Sequence, residues 1–252
     1  MKNVLLSARD VCKAFGAEKT NLILNHVNAD IYEGDFTIIM GASGAGKSTL
    51  LYALSGMDRI TDGRVIYKEK ELNRMKEKEM AALRAEEFGF VFQQTHLVSN
   101  LTLLENVKVA GFLGSRGRTA AVEKRAAELL KRVRVETAKD RLPSAVSGGE
   151  AQRAAIARAV INQPGILFAD EPTGALNKRN STEVLDLLTD LNRGGQSILM
   201  VTHDLKAALR GKRILYLEDG KILDELELEP FEEQNLRERE AAVNQWLASL
   251  EW

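Results

Sequence analysis

Cysteine, histidine and proline are scarce in this chain, and each shortage excludes a class of structure. Cys12 is the only cysteine among the 252 residues, so no disulfide can form within the chain. The three histidines, at positions 26, 96 and 203, stand too far apart for the ligand spacing of a zinc cluster. Four prolines make no proline-rich linker. We therefore expect cytoplasmic chemistry without a structural metal.

The chain also lacks an excess of charge of one sign, and it lacks long hydrophobic runs. Lysine plus arginine number 35 and aspartate plus glutamate number 36, which gives a net charge of −1. Such a balance provides no field that would draw the protein to nucleic acid or to anionic lipid. The run Val4-Leu5-Leu6 is too short for a signal peptide, and no segment approaches the roughly 18–20 apolar residues of a membrane span. We expect no nucleic-acid partner, and any work at a membrane to be done from the aqueous side.

Apolar strands alternate with amphipathic helices over much of the chain. Segments 4–11 and 22–31 predict opening strands, and run 36–40 is apolar on both faces, which is typical of the buried middle of a parallel sheet. Two later apolar runs are of the same kind, 166–169 and 197–201. They alternate with two segments of helical periodicity, 182–191 and 205–209. The pattern predicts an α/β fold with a parallel-sheet core.

The pattern between residues 76 and 162 is helical. Four segments there carry charge on one face and Leu, Val or Ala on the other: 76–87, 102–109, 120–133 and 150–161. They predict an α-helical subdomain inserted into the α/β core at about residues 94–163.

The last segment, residues 229–252, forms a separate helical tail in this prediction. One stripe of that helix holds five apolar side chains: Leu236, Val243, Trp246, Leu247 and Leu250. Two interpretations stay open, a terminal helix packed on its own domain and a docking helix for a partner.

A phosphate-binding pattern, G-x-x-x-x-G-K-[ST], directly follows the apolar strand 36–40 and directly precedes the helical run 50–54. Its glycines let backbone N–H groups close around phosphate oxygens, and the helix N-terminus adds partial positive charge. Lys47 supplies a full charge, and the Ser48 hydroxyl can bind the magnesium that bridges the phosphates. We predict a nucleotide-binding loop of nine residues: Gly41, Ala42, Ser43, Gly44, Ala45, Gly46, Lys47, Ser48 and Thr49.

An acidic pair, Asp170-Glu171, ends the apolar strand that begins at residue 166. By itself such a pair is typical of a helix cap. Because a phosphate loop stands earlier in the chain, we interpret Asp170 as a magnesium ligand and Glu171 as the base that polarises the attacking water.

A third motif resembles the signature sequence of ATP-binding-cassette (ABC) ATPases. Ser147-Gly148-Gly149-Glu150 follows Val146 and opens the helical run 151–159. Other motifs of that family appear in their usual order over roughly residues 1–225: Phe15 as the aromatic that stacks on adenine, Gln93 of the Q-loop, Asn177 of the D-loop and the switch histidine His203.

The resemblance implies a P-loop NTPase of the ABC ATPase type. This fold has a parallel-sheet core, an N-terminal antiparallel β subdomain and the helical insertion, here within residues 1–228. Such proteins form head-to-tail homodimers that enclose two ATP molecules with Mg²⁺, each ATP held by one chain's phosphate loop and the other chain's signature residues. The resemblance assigns the metal to Ser48, Gln93 and Asp170, and catalysis to Glu171, His203 and Gln93.

The sequence departs from the family pattern in the signature and in the D-loop. Val146 and Glu150 replace the commoner Leu and Gln, which we expect to be mild changes because Ser147 and backbone groups meet the phosphate. Asn177 stands where Asp is usual, so it keeps the hydrogen-bonding shape and loses the charge. Communication between the two ATP sites is the property that this change puts in question.

One cassette without a membrane segment implies that a transport pathway comes from separate permease subunits. The motifs look most like the branch that serves FtsX-type permeases in lipoprotein release, macrolide efflux and antimicrobial-peptide resistance. That branch implies an exporter or resistance system, with the chain held at the cytoplasmic face of the membrane by its permease. The alternatives are a soluble ABC ATPase acting on ribosomes or DNA, and a P-loop kinase outside the family. A second cassette or a long inserted coiled coil would favour the soluble ATPase, and the sequence has neither.

Overall fold

The computed structural model describes residues 2–16, 21–114 and 119–250. Within these residues the strands are β1 (Val4–Phe15), β2 (Asn21–Tyr32), β3 (Phe36–Met40), β4 (Asp62–Tyr67), β5 (Lys70–Glu71), β6 (Phe88–Phe92), β7 (Ile166–Asp170), β8 (Ser197–Val201), β9 (Arg213–Glu218) and β10 (Lys221–Glu227). The helices are α1 (Lys47–Leu54), α2 (Glu77–Glu87), α3 (Leu103–Gly114), α4 (Thr119–Arg132), α5 (Gly148–Val160), α6 (Lys178–Arg193), α7 (Leu205–Ala208) and α8 (Leu236–Ser249).

The chain folds into two compact units. The first unit joins Met1–Lys76 to Ser197–Trp252, and the second is Glu77–Gln196. None of the helices in the described ranges is both long enough and apolar enough to cross a membrane.

The first unit contains a four-stranded antiparallel sheet in the order β2-β1-β4-β5. Strand β1 pairs with both β2 and β4, and the register shifts along β1 at several points. Leu6, Val11, Leu24 and Val27 are buried on this sheet. The N-terminal antiparallel β subdomain is therefore confirmed.

The first unit also holds strands in the order β10-β9-β3-β8, with β8 and β9 both running parallel to β3. All five residues of β3 are buried, as its apolar character on both faces predicts. Strand β10 returns antiparallel to β9 through a turn at Asp219-Gly220, whose φ angles of 46° and 73° are left-handed. The parallel core that the sequence predicts is confirmed, with this hairpin added at its edge.

The second unit combines a parallel strand pair with helices. Strand β6 lies parallel to β7 inside the stretch 76–162, for which the sequence predicts only helices. Three aromatic rings explain this difference, because Phe90 stacks on Phe168 at 5.5 Å and Phe88 meets the same ring edge-on at 5.2 Å. Helices α3, α4 and α5 lie within residues 94–163.

The tail helix α8 packs on its own unit. Val243 and Leu247 are buried, and the Trp246 indole nitrogen donates to Asp224 Oδ2 at 2.8 Å. The Trp246 ring also meets Tyr216 edge-on at 6.2 Å. Leu236 is exposed although the predicted stripe includes it. The structure thus supports the interpretation of a packed terminal helix.

Candidate functional site

The phosphate-binding pattern forms the loop between β3 and α1 in the first unit. Gly46 is the N-cap of α1 with a left-handed φ of 99°, and its carbonyl oxygen accepts the first helical bond from Leu50 N at 2.8 Å. A Cβ on Gly41 would lie 2.0 Å from the backbone oxygen of Leu217, so no side chain fits there. Ala42, Ser43 and Gly44 are exposed at the tip of the loop. The loop therefore presents its backbone to solvent at the start of a helix, where anions bind.

Lys47 extends back over the loop instead of pointing along the helix. Its ammonium donates to the carbonyl oxygens of Gly41 at 2.9 Å and Ala42 at 2.7 Å, and the residue is only 7% exposed. A full positive charge is thus held against the loop backbone, as binding of a polyphosphate requires. Ser48 and Thr49 follow in the first turn of α1 and are half-buried.

Phe15 ends β1 and is 45% exposed, so it is not a core residue. The ammonium of Lys13 lies 4.6 Å from the centre of its ring. That ammonium also donates to Asp58 Oδ1 and to the Arg59 carbonyl oxygen, each at 2.7 Å. The ring is therefore supported by a fixed cation while much of its surface stays accessible, as an adenine platform requires. The sequence analysis missed Lys13, although its place two residues before Phe15 on the same strand indicates that both lie on one face.

His203 lies just beyond the end of β8 and is exposed, which excludes an ordinary buried histidine. The residues on either side of it are anchored. Thr202 N donates to the Ile39 carbonyl oxygen at 3.1 Å, and Asp204 N donates to Thr202 Oγ1 at 3.0 Å. Asp204 then caps α7 by accepting from Lys206 N at 2.9 Å. An exposed imidazole between two fixed residues is suited to a ligand.

In the second unit, Asp170 is the last residue of β7 and is buried to 9% exposure. Glu171 has a left-handed φ of 44°, which is costly for a residue with a side chain and is common at functional sites. The helix-cap alternative does not hold for this pair. Helix α6 begins at Lys178, and its N-cap is Asn177.

Gln93 directly follows β6 and is held by neighbours within the second unit. A Cβ on Gly174 would lie 2.8 Å from Gln93 Nε2, so the glycine makes room for this side chain. Gln152 on α5 donates to the Phe92 carbonyl oxygen at 2.9 Å. Arg158, also on α5, donates to the carbonyl oxygens at positions 95 and 96 at 2.8 and 2.6 Å. The signature helix thus fixes the backbone on both sides of Gln93.

Sequence analysis missed both of these α5 side chains. Burial lowers the pKa of the Arg158 guanidinium. The sequence did contain a signal for Gln152, because this polar residue shares a helix face with the apolar residues Ala155 and Ile156, and a polar side chain on a buried face needs a hydrogen-bond partner.

Ser147 is the N-cap of α5 and forms a capping box with Glu150. The Ser147 hydroxyl and backbone N–H donate to the same Glu150 carboxylate oxygen at 2.7 and 2.9 Å. These two bonds, the hydroxyl's first, hold the pKa of Glu150 below its usual value. A carboxylate therefore engages the Ser147 hydroxyl, which the resemblance assigns to a phosphate, and this makes Glu150 a larger departure than the sequence suggests. Gly149 is required by packing, since a Cβ would lie 2.5 Å from the side chain of Asn180.

Asn177 caps α6, and its Oδ1 accepts from Asn180 N at 3.0 Å. An aspartate could make the same bond with an added negative charge at the helix N-terminus. The change from the usual Asp therefore preserves the local backbone and removes charge alone.

The predicted metal ligands supply hard oxygen donors. Ser48 offers a hydroxyl, Gln93 an amide oxygen and Asp170 a carboxylate, all of which suit Mg²⁺. No group of three His, Cys, Asp or Glu side chains is arranged to hold a metal in the described part of the chain. Each donor is therefore of a kind that would suit the magnesium ion that accompanies ATP, and Ser48 belongs to the first unit while Gln93 and Asp170 belong to the second.

A strand, a glycine-rich loop with its lysine and a helix, set in an α/β fold with an inserted helical region, define a P-loop nucleoside triphosphatase. The chain belongs to the ABC transporter family, whose profile matches residues 24–174. It is an ABC-type ATPase, the ATP-binding subunit of an ABC transporter.

Solved structures of the same kind resemble the chain closely. One is the ATP-binding cassette MJ0796, a dimer in a post-hydrolysis state bound to ADP and Pi, which is 38% identical with a TM-score of 0.83 over 90% of this chain and 100% of that chain. A second MJ0796 structure, described as a dimeric bacterial ABC transporter cassette, is 39% identical with the same TM-score and coverage. The cassette cbiO1 from Clostridium perfringens, part of the transporter complex cbiONQ, is 26% identical with a TM-score of 0.79 over 89% of this chain and 88% of that chain.

Proposed function

We propose that this chain hydrolyses MgATP as a head-to-tail homodimer and thereby powers a separate FtsX-type permease. The observation that carries the dimer is the presence of two helix N-termini of the kind that suits an anion, one at Gly46 in the first unit and an exposed one at Ser147 in the second. In this arrangement the terminal phosphate of a nucleotide bound at the phosphate loop of one chain contacts the N-terminus of α5, at Ser147, in the other chain. The dimeric state of MJ0796 with ADP and Pi supports this arrangement.

Each side chain has one task in this proposal. Phe15 stacks on adenine, and Lys47 with the loop N–H groups binds the β- and γ-phosphates. Ser48, Gln93 and Asp170 hold the Mg²⁺ that neutralises phosphate charge.

The hydrolysis step itself needs two further groups. Glu171 accepts the proton of the attacking water, and His203 holds that water and the γ-phosphate in line. In this proposal the buried Asp170 binds the metal. The left-handed backbone at Glu171 directs the Glu171 carboxylate toward the attacking water.

The permease partner is supported by motif resemblance and by an uncovered apolar face in the second unit. Val109, Phe112 and Leu113 lie on one side of α3, and Leu113 is 75% exposed. An exporter or antimicrobial-peptide resistance system is the transport function we infer, with the chain at the cytoplasmic face of the membrane. Cell fractionation tests this inference, because a permease partner retains the chain on membranes. Co-migration with ribosomes would favour the soluble alternative.

A mixing experiment tests the composite site. Lys47→Ala and Ser147→Arg chains are each expected to lack ATPase activity as homodimers. Their heterodimer has one doubly damaged site and one intact site, so random mixing restores at most about a quarter of wild-type activity. The measurement is phosphate release after subunit exchange, with heterodimers confirmed by pull-down through different tags. A mixture no more active than the separate variants would argue against independent composite sites.

Glu150→Gln is expected to tighten the ATP-dependent dimer about 2–5-fold, because it removes a negative charge beside the incoming phosphate. Glutamine can also form the capping box with Ser147, so the first turn of α5 is preserved. The dimer dissociation constant in ATP, measured by sedimentation in a Glu171→Gln background, gives the effect. Glu128→Gln, an exposed change on α4, serves as the charge-matched control. An unchanged or weaker dimer would show that the carboxylate does not compete with phosphate.

A further inference from the structure

The nine residues from His203 to Gly211 lie within the connection between β8 and β9 and are held at both ends. Their start is fixed at Thr202 and Asp204, as described above. Gly211 near their end lies against β3, since a Cβ there would be 2.3 Å from Ile38 Cγ1. Between these points lies the single helical turn α7, whose last carbonyl groups, at Ala207 and Ala208, accept from Arg210 N at 3.1 Å and Gly211 N at 3.0 Å. The carbonyl groups of Leu209 and Gly211 lie beyond the end of that turn.

Arg239 of the tail helix α8 bonds to both of these carbonyl groups. Its Nε donates to the Leu209 carbonyl oxygen at 3.0 Å, and its two terminal nitrogens donate to the carbonyl oxygens of Gly211 and Glu229. The residue is 4% exposed, and its guanidinium carbon lies 5.6 Å from the centre of the Phe231 ring. A planar guanidinium can satisfy three carbonyls at once, which the ammonium of lysine does poorly.

The tail has a second attachment that does not involve Arg239. Trp246 bonds to Asp224 and packs on Tyr216, and Val243 and Leu247 are buried. The bonds of Arg239 are therefore not needed simply to keep α8 in place. What Arg239 adds is a connection between the tail and the segment that begins at His203.

We propose that Arg239 is a positioning residue for hydrolysis, which acts by holding the segment His203–Gly211 so that the His203 imidazole keeps its working orientation. This proposal rests on the role assigned to His203 above. Without the guanidinium, the carbonyl groups of Leu209 and Gly211 lose this donor and the segment relaxes from its far end. The phosphate loop has its own anchors, so ATP binding is preserved.

Kinetics of three variants test the proposal. Arg239→Gln is expected to lower kcat about 5–20-fold while KM for ATP changes less than about twofold, because small displacements of a catalytic group cost rate. Arg239→Lys keeps the charge and is expected to restore part of kcat. Arg237→Gln, an exposed change on the same helix, is the matched control and should behave as wild type. Equal kcat values for Arg239→Gln and Arg237→Gln would overturn the proposal.

A stability control separates positioning from general loosening. Val122→Ala shortens a buried side chain on α4 of the other unit. If it lowers the melting temperature as much as Arg239→Gln and lowers kcat equally, the role of Arg239 is structural only. If Arg239→Gln does not fold, Arg239→Lys takes its place in the comparison with Arg237→Gln. A kcat of Arg239→Lys equal to that of Arg237→Gln would then overturn the proposal.

Imidazole spectra provide a readout that does not require hydrolysis. The chain has three histidines, so carbon-13 labelled histidine gives three ring signals that single His→Gln variants assign. Arg239→Gln is expected to shift or broaden the His203 signal and to leave His26 unchanged. An unmoved His203 signal would refute the proposal. If His203→Gln instead left wild-type hydrolysis intact, the proposed role of His203 would fail, while the spectra would still decide whether Arg239 positions it.

Discussion

Glu171→Gln is expected to keep ATP binding and to slow hydrolysis by about 10²–10⁴-fold, the range for loss of a general base. Glutamine has nearly the same size as glutamate, and it cannot accept the proton of the attacking water. The left-handed φ of 44° at Glu171 is preserved, because the backbone turn that Gly174 closes with Glu171 does not involve the carboxylate. Single-turnover and steady-state phosphate release give the rate, and equilibrium dialysis gives the ATP affinity.

The same variant should accumulate as an ATP-bound dimer, because hydrolysis no longer releases the enclosed nucleotide. Sedimentation with and without ATP measures this shift. Glu128→Gln on the exposed face of α4 is the control for removing one carboxylate elsewhere. Steady-state hydrolysis near the wild-type rate in purified Glu171→Gln would remove Glu171 from the role of base.

Lys47→Ala is expected to weaken ATP binding about 10–100-fold, since hydrogen bonds to charged groups each contribute roughly 1.5–3 kcal/mol. Lys47 is held over the loop at the carbonyl oxygens of Gly41 and Ala42, where its charge adds to that of the helix N-terminus. An exposed ion pair would contribute only about 0–1 kcal/mol, so a large effect distinguishes the two situations. Equilibrium dialysis with ATP is the direct measurement.

Lys131→Ala, on the exposed end of α4, controls for the loss of one positive charge. The melting temperature of Lys47→Ala should be recorded as well, because the lysine also bonds to its own loop. Retention of wild-type ATP affinity in a folded Lys47→Ala protein would contradict the phosphate-binding role. The two variants are thus expected to separate binding from chemistry, one losing nucleotide and the other retaining it.

Local patterns in the sequence were sufficient for the phosphate loop and for the parallel strands. The loop is recognisable because a strand, a run of nine residues and a helix follow one another in the chain, although its close approach to the Leu217 backbone at Gly41 is a tertiary contact. Strand β3 is recognisable because a strand buried on both faces must be apolar throughout. The start of α5 at Ser147 was recognisable for a similar reason, because a helix N-cap and its capping box span only four consecutive residues.

Only the tertiary structure decided the features that depend on residues far apart in the chain. Strand β6 lies in a stretch that reads as helical, and it becomes a strand because its aromatic rings pack on Phe168 about eighty residues away. The tail has the apolar stripe of a partner-docking helix, yet it covers its own unit because Asp224 and Tyr216 lie where Trp246 can reach them. Arg239 looks like one more surface charge in an Arg- and Glu-rich helix, and its burial depends on carbonyl groups at Leu209 and Gly211. Periodicity reports which face of a segment is apolar, but the partner that covers it is chosen by contacts between distant segments, which no local pattern records.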